Sequence, residues 1–239
     1  MPGPTDAFGP ATFEAIVKDV LAAGYTFARF DRPPGNASRV CRLRFDVDIS
    51  PLAALRLGEI LHGNDVAATF LFQINAGTYS VFSAPVLDAI DTLRGQGHAV
   101  GLHIDQSLLG EDEAAISATL DWFSTCCRPI DRVVSFHRPG PTVLGRTYAG
   151  FASTYASEYF DSESYLSDSR RSMEFRSRLA TWLTEGRSPM QLLLHPEWWE
   201  PLDDVQTIWE SLRARRLAEL EDYVLKNFSK VFTGVIGRR

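Results

Sequence analysis

Short apolar runs alternate with longer amphipathic segments along most of this chain, and the two patterns predict different elements. Runs rich in Val, Ile, Leu and Phe indicate strands, and they lie at 42–49, 67–74, 97–105, 131–138 and within 190–199. Apolar positions recur every three or four residues between them, which predicts helices beginning at Ser50-Pro51 and covering about 84–95, 111–125 and 174–185. Strands that alternate with helices predict a mostly parallel sheet, either open or closed into a barrel.

Both ends of the chain are also predicted to be helical. A first helix at roughly 11–23 is joined to the first core strand by DRPPGNAS at 31–38. Asp203 or Asp204 is expected to cap a closing helix, whose inward positions would be Ile208, Leu212, Leu220, Val224 and Phe228. Two short strand candidates lie within 150–170. We therefore expect one domain over 1–239, with a lead-in at 1–39, a core at 40–200 and a closing helix at 201–239.

Composition narrows the range of partners. The 239 residues are 45% hydrophobic and 23% charged, which is ordinary globular material with enough apolar residues for a substantial core. The net charge of −6 argues against a nucleic-acid or anionic-membrane surface. No apolar run approaches the roughly 18 residues needed to span a bilayer. A small molecule or a glycan is the expected partner, and the oligomeric state stays open.

The cysteines and the first residues predict a cytoplasmic location. Cys41, Cys126 and Cys127 are an odd number of thiols with no disulfide spacing, which favours a reducing compartment. The opening MPGPTDAFGP lacks the charged and apolar regions of a signal peptide.

Polar side chains collect where the predicted strands end, and in parallel α/β folds such ends meet at one edge of the sheet. Four strand ends contribute residues of the types that a hydrolytic metal site needs. They are Asp46 and Asp48, His103 and Asp105, His137 and Arg138, and His195.

Asp46 and Asp48 lie two residues apart, so a regular strand directs both carboxylates to the same face. Their repulsion needs an offset, either a cation or a shared proton. One division of roles gives Asp48 to a divalent cation and leaves Asp46 free as a base. A pair of solvated or capping carboxylates is the alternative for such a short motif.

The histidines differ in what their positions allow. His103 shares a face with Asp105, and imidazole and carboxylate are both ligands of zinc and similar metals. His98 lies at the start of its strand, which favours a structural role. His195 ends an apolar strand, and its pKa near neutrality suits a general acid. The following Trp198 and Trp199 are either a platform for a sugar or packing residues.

The ordered motifs RFDVDIS, ATFLF, GHAVGLHID, SFHRPG and LLLHP resemble those of the NodB-like polysaccharide deacetylases, carbohydrate esterase family 4. The resemblance covers roughly residues 40 to 200 and is nearest to a divergent branch, linked to surface-polysaccharide biosynthesis, that reads HDVD-SP. It implies a distorted (β/α) barrel and metal-dependent removal of an acyl group from an amino sugar. It also implies that Asp46 is the general base, that Asp48 and His103 are metal ligands, that Arg138 is the motif arginine and that His195 is the general acid. From the residues alone, Arg138 is a candidate either to orient a catalytic carboxylate or to bind an anionic group of the substrate.

Two positions depart from the pattern of this family. The second ligand histidine would fall on position 107, which is Ser107, so Asp105, His137 or water would complete the coordination. Phe45 occupies the position at which the divergent branch usually has histidine. The motif SDS at 167–169 also resembles one in that branch, without an assigned role.

These observations predict a hydrolase that uses one divalent ion, zinc first and nickel, cobalt or manganese as the other candidates. The expected substrate is an N-acylated, most simply N-acetylated, amino sugar or glycan precursor. Two alternatives stay open: a deformylase or other C–N hydrolase acting on a small amide that is not a sugar, and an inactive relative that only binds carbohydrate.

Overall fold

The predicted alternation of strands and helices is present in the computed structural model, which describes residues 8–161, 163–201 and 204–236. Its helices are α1 Pro10–Ala22, α2 Pro51–Gly63, α3 Ala84–Gly95, α4 Gln106–Leu109, α5 Glu113–Cys126, α6 Glu174–Glu185 and α7 Val205–Phe232. Its strands are β1 Thr26–Phe27, β2 Val40–Val47, β3 Thr69–Gln73, β4 Ala99–Asp105, β5 Val133–His137, β6 Ala152–Ser153, β7 Tyr165–Ser167 and β8 Met190–Leu194. The very short β1 and α4 are the elements that the apolar pattern does not predict.

The strands form one parallel sheet. Their order is β6-β5-β4-β3-β2-β8-β7, with β1 paired to β2, and every pair is parallel. Strand β2 therefore lies in the middle, between β3 and β8. The sheet curls into a half-barrel with helices around it, so the predicted distorted (β/α) barrel is confirmed.

Central strands are buried on both faces, which explains why they appear in the sequence as continuous apolar runs. Every residue of β2, β3 and β8 is buried. Phe45 on β2 stacks on Phe70 of β3 with ring centroids 4.5 Å apart, and Phe13 of α1 packs against its edge. Phe45, which stands where the divergent branch usually has histidine, is therefore part of the core.

The helix beginnings follow capping rules. Ser50 accepts a hydrogen bond from the backbone N–H of Ala53, and Pro51 is the first residue of α2, as predicted. Asp112 caps α5 in the same way through Ala115. These caps fix where the chain leaves the carboxyl end of a strand, and therefore where the residues beside it are placed.

By internal contacts, the chain divides into two compact units, Met1–Pro201 and Leu202–Arg239. The first contains the whole sheet. In the second unit, Asp204 caps α7 by accepting a hydrogen bond from the backbone N–H of Thr207, which is one of the two caps predicted. The other candidate, Asp203, lies outside the described residues. Leu220 and Phe228 were predicted to face inward and are exposed; among the described residues of this unit, α7 is the only helix or strand. The expectation of one domain over 1–239 stays a prediction.

In the described part of the chain, no helix combines the length and the apolar character that crossing a bilayer requires. The three cysteines are free. A cytoplasmic location stays a prediction.

Candidate metal centre

The parallel sheet brings the polar strand ends together at one edge. Strands β2, β3, β4 and β5 are consecutive neighbours, and the register pairs His103 with Ser135 and Asp105 with His137. Asp46 lies near the end of β2, and Asp48 follows that strand directly. The predicted clustering of these residue types at the carboxyl ends is therefore present.

Asp48, His103 and His137 form a triad of possible metal ligands. Asp48 Oδ1 lies 3.2 Å from His103 Nε2 and 3.5 Å from His137 Nδ1. The two ring nitrogens lie 3.2 Å apart. Burial raises the pKa of Asp48, but the imidazoles of His103 and His137, when they act as hydrogen-bond donors, outweigh burial and lower it. A bound cation would supply the positive charge in their place when the imidazoles present lone pairs.

Hydrogen bonds on the far side of His103 fix which of its nitrogens faces the triad. Ser135 Oγ donates to Asp46 Oδ1 at 3.0 Å, and His103 Nδ1 lies 2.6 Å from the same Oγ. Because the hydroxyl gives its single proton to Asp46, Nδ1–H of His103 must donate to Oγ. The Nε2 lone pair of His103 is then directed toward Asp48 and His137, which is the tautomer that a metal ligand needs.

The spacing of the triad fits a divalent cation. A tetrahedral site with metal–ligand bonds of about 2.1 Å separates its ligand atoms by about 3.4 Å, close to the 3.2, 3.2 and 3.5 Å found here. Asp48 Oδ1 is buried and has no hydrogen-bond partner among the described residues. An orphaned carboxylate oxygen facing an imidazole lone pair is the arrangement that a cation stabilises.

Asp46 lies beside the triad but is held by different groups. Arg44, two residues earlier on the same face of β2, donates from Nε to Oδ1 at 2.9 Å and from Nη2 to Oδ2 at 2.6 Å. Burial raises the pKa of Asp46, but the Arg44 guanidinium, with a smaller contribution from His103, lowers it overall. Asp46 is thus an ionised carboxylate in a buried position.

Arg44 was missed by the sequence reasoning. Its side chain is fully buried, donates to Tyr155 Oη at 2.9 Å and to Gln191 Oε1 at 3.3 Å, and lies 4.5 Å from the centroid of the Tyr155 ring. Breaking a buried ion pair by removing one partner typically costs about 3–5 kcal/mol. The pair therefore supports the local fold as well as the orientation of Asp46.

His195 follows β8 and is held by Asp168, the middle residue of the SDS motif. Its Nδ1 donates to Asp168 Oδ1 at 2.6 Å, and its backbone N–H bonds to the same carboxylate. Burial lowers the pKa of His195, but the Asp168 carboxylate outweighs burial, with help from Glu197 and Asp46, and raises it to about 9. His195 consequently carries a proton at neutral pH, with Nε2–H left to donate.

Replacing Asp168 by Asn should lower the pKa of His195 by at least about one unit. The negative charge that offsets the effect of burial is then missing, and burial lowers the pKa. The check is an NMR titration of the histidine rings in wild type, Asp168→Asn and the surface control Asp121→Asn. In the wild type, the raised pKa stabilises the fold fully below pH 6.5, and this contribution is lost as the pH rises through about 9. A His195 that still titrates near pH 9 in Asp168→Asn would contradict the role of Asp168.

Two predicted site residues lie apart from these contacts. Asp105 accepts from the backbone N–H and the hydroxyl of Ser107 through Oδ1, which caps α4, and the triad does not include it. Arg138 is exposed, with a left-handed backbone at φ 53°, and among the described residues it makes no hydrogen bond to Asp46. Arg44, and not Arg138, donates to the Asp46 carboxylate.

Two cavities adjoin the triad and share part of their lining. Both are lined by Asp48, His137, Ser169 and His195. The polar cavity, about 400 Å³, adds Gln73, Arg170, Glu197 and Trp198. The aromatic cavity, about 360 Å³, adds Phe136, Tyr155, Phe160 and Tyr165 together with Asp46 and Arg138. A ligand that spans the triad has access to both.

In comparisons with known proteins, solved structures of deacetylases and esterases are similar to this fold. No protein-family model and no curated protein matches the chain. Among solved structures, a chitin deacetylase from Colletotrichum lindemuthianum is 17% identical, with a TM-score of 0.41 over 73% of this chain and 81% of that one. A family 4 acetyl xylan esterase from Clostridium thermocellum, in complex with a cobalt ion, is 15% identical, with a TM-score of 0.40 over 73% and 84%.

The peptidoglycan deacetylase PdaC from Bacillus subtilis is likewise 15% identical, with a TM-score of 0.42 over 77% of this chain and 96% of that one. With every identity below 20% and every TM-score below 0.5, these likenesses assign no activity to the chain. A proposal for its chemistry has to rest on the triad, on Asp46 and on His195 instead.

Proposed function

We propose that this protein is a hydrolase that uses one divalent metal ion, with zinc as the first candidate, to remove an N-acyl group from an amino sugar or glycan precursor. One observation carries the proposal. Three ligand atoms lie at mutual distances of 3.2–3.5 Å, and an ionised carboxylate and a protonated imidazole lie beside them. Hydrolysis of an amide needs all three: an electrophilic centre, a base and an acid.

Asp48, His103 and His137 would hold the ion. When bound, it supplies Lewis-acid polarisation of the acyl carbonyl and acidifies a coordinated water. Imidazole nitrogen and carboxylate oxygen suit zinc, and also nickel, cobalt or manganese. Three protein ligands leave coordination positions open for water and substrate, as catalytic sites require.

Asp46 is proposed as the general base. Its Oδ1 accepts from Arg44 Nε and Ser135 Oγ, whereas Oδ2 accepts, within the described part of the chain, only from Arg44 Nη2. Oδ2 therefore keeps a lone pair that can take a proton from the attacking water. Two bonds from one planar guanidinium fix the carboxylate in place, so little reorganisation accompanies proton transfer.

His195 is proposed as the general acid. Asp168 holds Nδ1–H, so Nε2–H is the proton available to the departing amine. An amide nitrogen leaves readily only when it is protonated, and an imidazolium that is charged at neutral pH supplies that proton. Arg138, which lines the aromatic cavity without contacting Asp46, is left to bind the substrate rather than to orient the base.

Metal removal and restoration test the proposal. Chelator-treated protein should release neither amine nor carboxylic acid from N-acyl sugars, and about one equivalent of zinc, cobalt, nickel or manganese should restore release in equal amounts. N-acetyl and N-formyl sugars, together with small amides lacking hydroxyls, separate the sugar deacylase from a general C–N hydrolase. Turnover that is unaffected by chelation, or no turnover with any metal across this panel, would overturn the proposal.

A further inference from the structure

Arg170 has a backbone conformation that an arginine rarely adopts. Its φ is 63° and its ψ is 20°, and the next residue, Arg171, also has a positive φ of 54°. This left-handed region is costly for a residue with a β-carbon, whereas glycine adopts it freely. Outliers of this kind collect at functional sites, where the surrounding structure holds them in place. Glycine would suit this turn at least as well, so the guanidinium is the part of Arg170 that the backbone does not require.

The segment that carries Arg170 is anchored beside His195. Asp168, two residues earlier, is buried and accepts from the ring Nδ1 of His195 at 2.6 Å. The hydroxyl of Ser167 also accepts from the backbone N–H of Ser169 at 3.0 Å. Because two residues span at most about 7 Å, the Cα atom of Arg170 lies within that distance of the Cα atom of Asp168. The base of this side chain is therefore fixed close to the site.

The side chain of Arg170 is accessible to a ligand. The residue is exposed and lines the polar cavity together with Asp48 and His195. Within the described part of the chain, its guanidinium forms no hydrogen bond and no ion pair. The other acid that lines this cavity, Glu197, is 3% exposed and does not pair with it. A ligand in the polar cavity thus meets a cation that no protein group occupies.

Arg171 differs from Arg170 in its surroundings, although both have a left-handed backbone. Its guanidinium lies 5.0 Å from the centroid of the Phe8 ring, and it lines neither cavity. The turn therefore places one arginine against an aromatic ring and the other at the polar cavity. Arg171 consequently provides a matched control for Arg170.

Two of the acids at the site already have cationic partners. Asp46 accepts from the Arg44 guanidinium, and Asp168 accepts from His195. The charge of Arg170 is not needed to balance them, and the whole chain carries a net charge of −6. A cation without an acidic partner, at a cavity of an otherwise acidic protein, attracts anions to that cavity.

The polar cavity suits an anion better than the aromatic cavity does. Arg138, for which the sequence allows an anion-binding role, is exposed and lines the aromatic cavity. The walls there include Phe136, Tyr155 and Phe160. A charged group that loses water against such rings is not compensated by hydrogen bonds. The anion is therefore assigned to the cavity of Arg170.

A guanidinium presents paired N–H groups that match the oxygens of a carboxylate or a phosphate. The polar cavity has a volume of about 400 Å³, which holds a group the size of a small molecule. An amide at the triad and an anion at Arg170 therefore belong to one small unit of the substrate.

We propose that Arg170 binds an anionic group of the N-acylated substrate, a phosphate or a carboxylate, and so selects acidic N-acyl amines over neutral ones. The anion accepts hydrogen bonds from the guanidinium while the amide lies at the triad. This inference rests on the proposed function, because the position of the amide sets where the rest of the substrate lies. It adds a requirement for negative charge, which the triad itself does not impose.

The test measures binding of a neutral sugar and three acidic sugars to the zinc-loaded full chain. The neutral ligand is N-acetylglucosamine, the phosphates are its 1-phosphate and its 6-phosphate, and the carboxylate is N-acetylmuramic acid. Dissociation constants come from NMR titration, with the ligand spectrum followed so that any turnover is seen. The wild type should bind at least one acidic sugar about tenfold more tightly than the neutral one, and the preferred ligand shows which anion is recognised. Arg170→Gln should lower this preference by about tenfold and leave the affinity for the neutral sugar unchanged.

Three further variants act as controls. Arg171→Gln and Arg138→Gln should keep the preference for the acidic sugar. Arg170→Gly removes the guanidinium and the backbone cost together, so it should lose the preference and yet unfold at a temperature no lower than the wild type. A wild type that binds all four sugars alike would overturn the proposal. A preference that survives in Arg170→Gln, because the metal ion or Arg138 provides it, would overturn it as well.

Parallel assays keep this failure separate from failure of the proposed function. Metal content and amine release are measured on the same samples. Metal-dependent hydrolysis without a preference that depends on Arg170 refutes the role of Arg170 alone. A preference for acidic sugars that depends on Arg170, without metal-dependent hydrolysis, refutes the proposed function alone.

Discussion

An Asp46→Asn variant is expected to hydrolyse its substrate at least about 100-fold more slowly than the wild type, because a positioned general base contributes about 10²–10⁴-fold. Asparagine keeps the shape of the side chain and the acceptor oxygen facing Arg44, but its amide cannot take a proton from water. The metal should stay bound, since Asp48, His103 and His137 are unchanged. Steady-state rates of amine release, with metal content measured on the same samples, check both parts.

The variant needs a control for stability, because Asp46 also balances a buried charge. Arg44 is fully buried and bonds to both carboxylate oxygens, so the Asn variant is expected to unfold at a lower temperature than the wild type. Rates are therefore compared well below its midpoint. Asp88→Asn, at a side chain that is 72% exposed, serves as the matched change. Full activity in Asp46→Asn would rule out its role as the base.

The sequence predicted the fold well because central parallel strands leave a strong signal. Strands such as β2 and β8 are buried on both faces and appear as continuous apolar runs, and Ser50-Pro51 marks a helix beginning by its capping chemistry. The closing helix was the weaker case. Its periodicity correctly predicted α7, but periodicity alone does not say whether an apolar stripe is covered, and Leu220 and Phe228 are exposed.

The site was predicted in outline, since strand ends collect at one edge in any parallel sheet. The third metal ligand was not predicted. Asp105 and His137 are paired in register on neighbouring strands, so spacing could not choose between them. Asp105 instead caps the N-terminus of α4 by accepting a hydrogen bond from the backbone N–H of Ser107. The apolar pattern of the sequence does not predict this short helix.

Two contacts explain most of what the sequence reasoning missed. Arg44 and Asp46 lie two residues apart on β2 and share a face, so the alternation of side chains along a strand allows their pairing to be predicted. The contact between Asp168 and His195 arises because β7 pairs with β8. That neighbour relation depends on strand order, and strand order is not readable from local pattern.

Removing one imidazole of the triad should strongly weaken metal binding. His137→Ala removes one of three ligand atoms, and we expect metal affinity to fall by more than about 100-fold, beyond the 10–100-fold typical of outer-shell partners. His103→Ala should do the same, and it also leaves Ser135 Oγ without its imidazole partner. Metal-dependent amine release should disappear in both variants at metal concentrations that saturate the wild type.

Calorimetric titration of zinc into metal-free wild type, His137→Ala and the control His62→Ala is the most direct test of the triad. His62 is exposed on α2, and the triad does not include it. The account predicts one equivalent of zinc in the wild type and in His62→Ala, with binding weakened by more than about 100-fold in His137→Ala. A His137→Ala variant that binds one equivalent with the affinity of the wild type would contradict it.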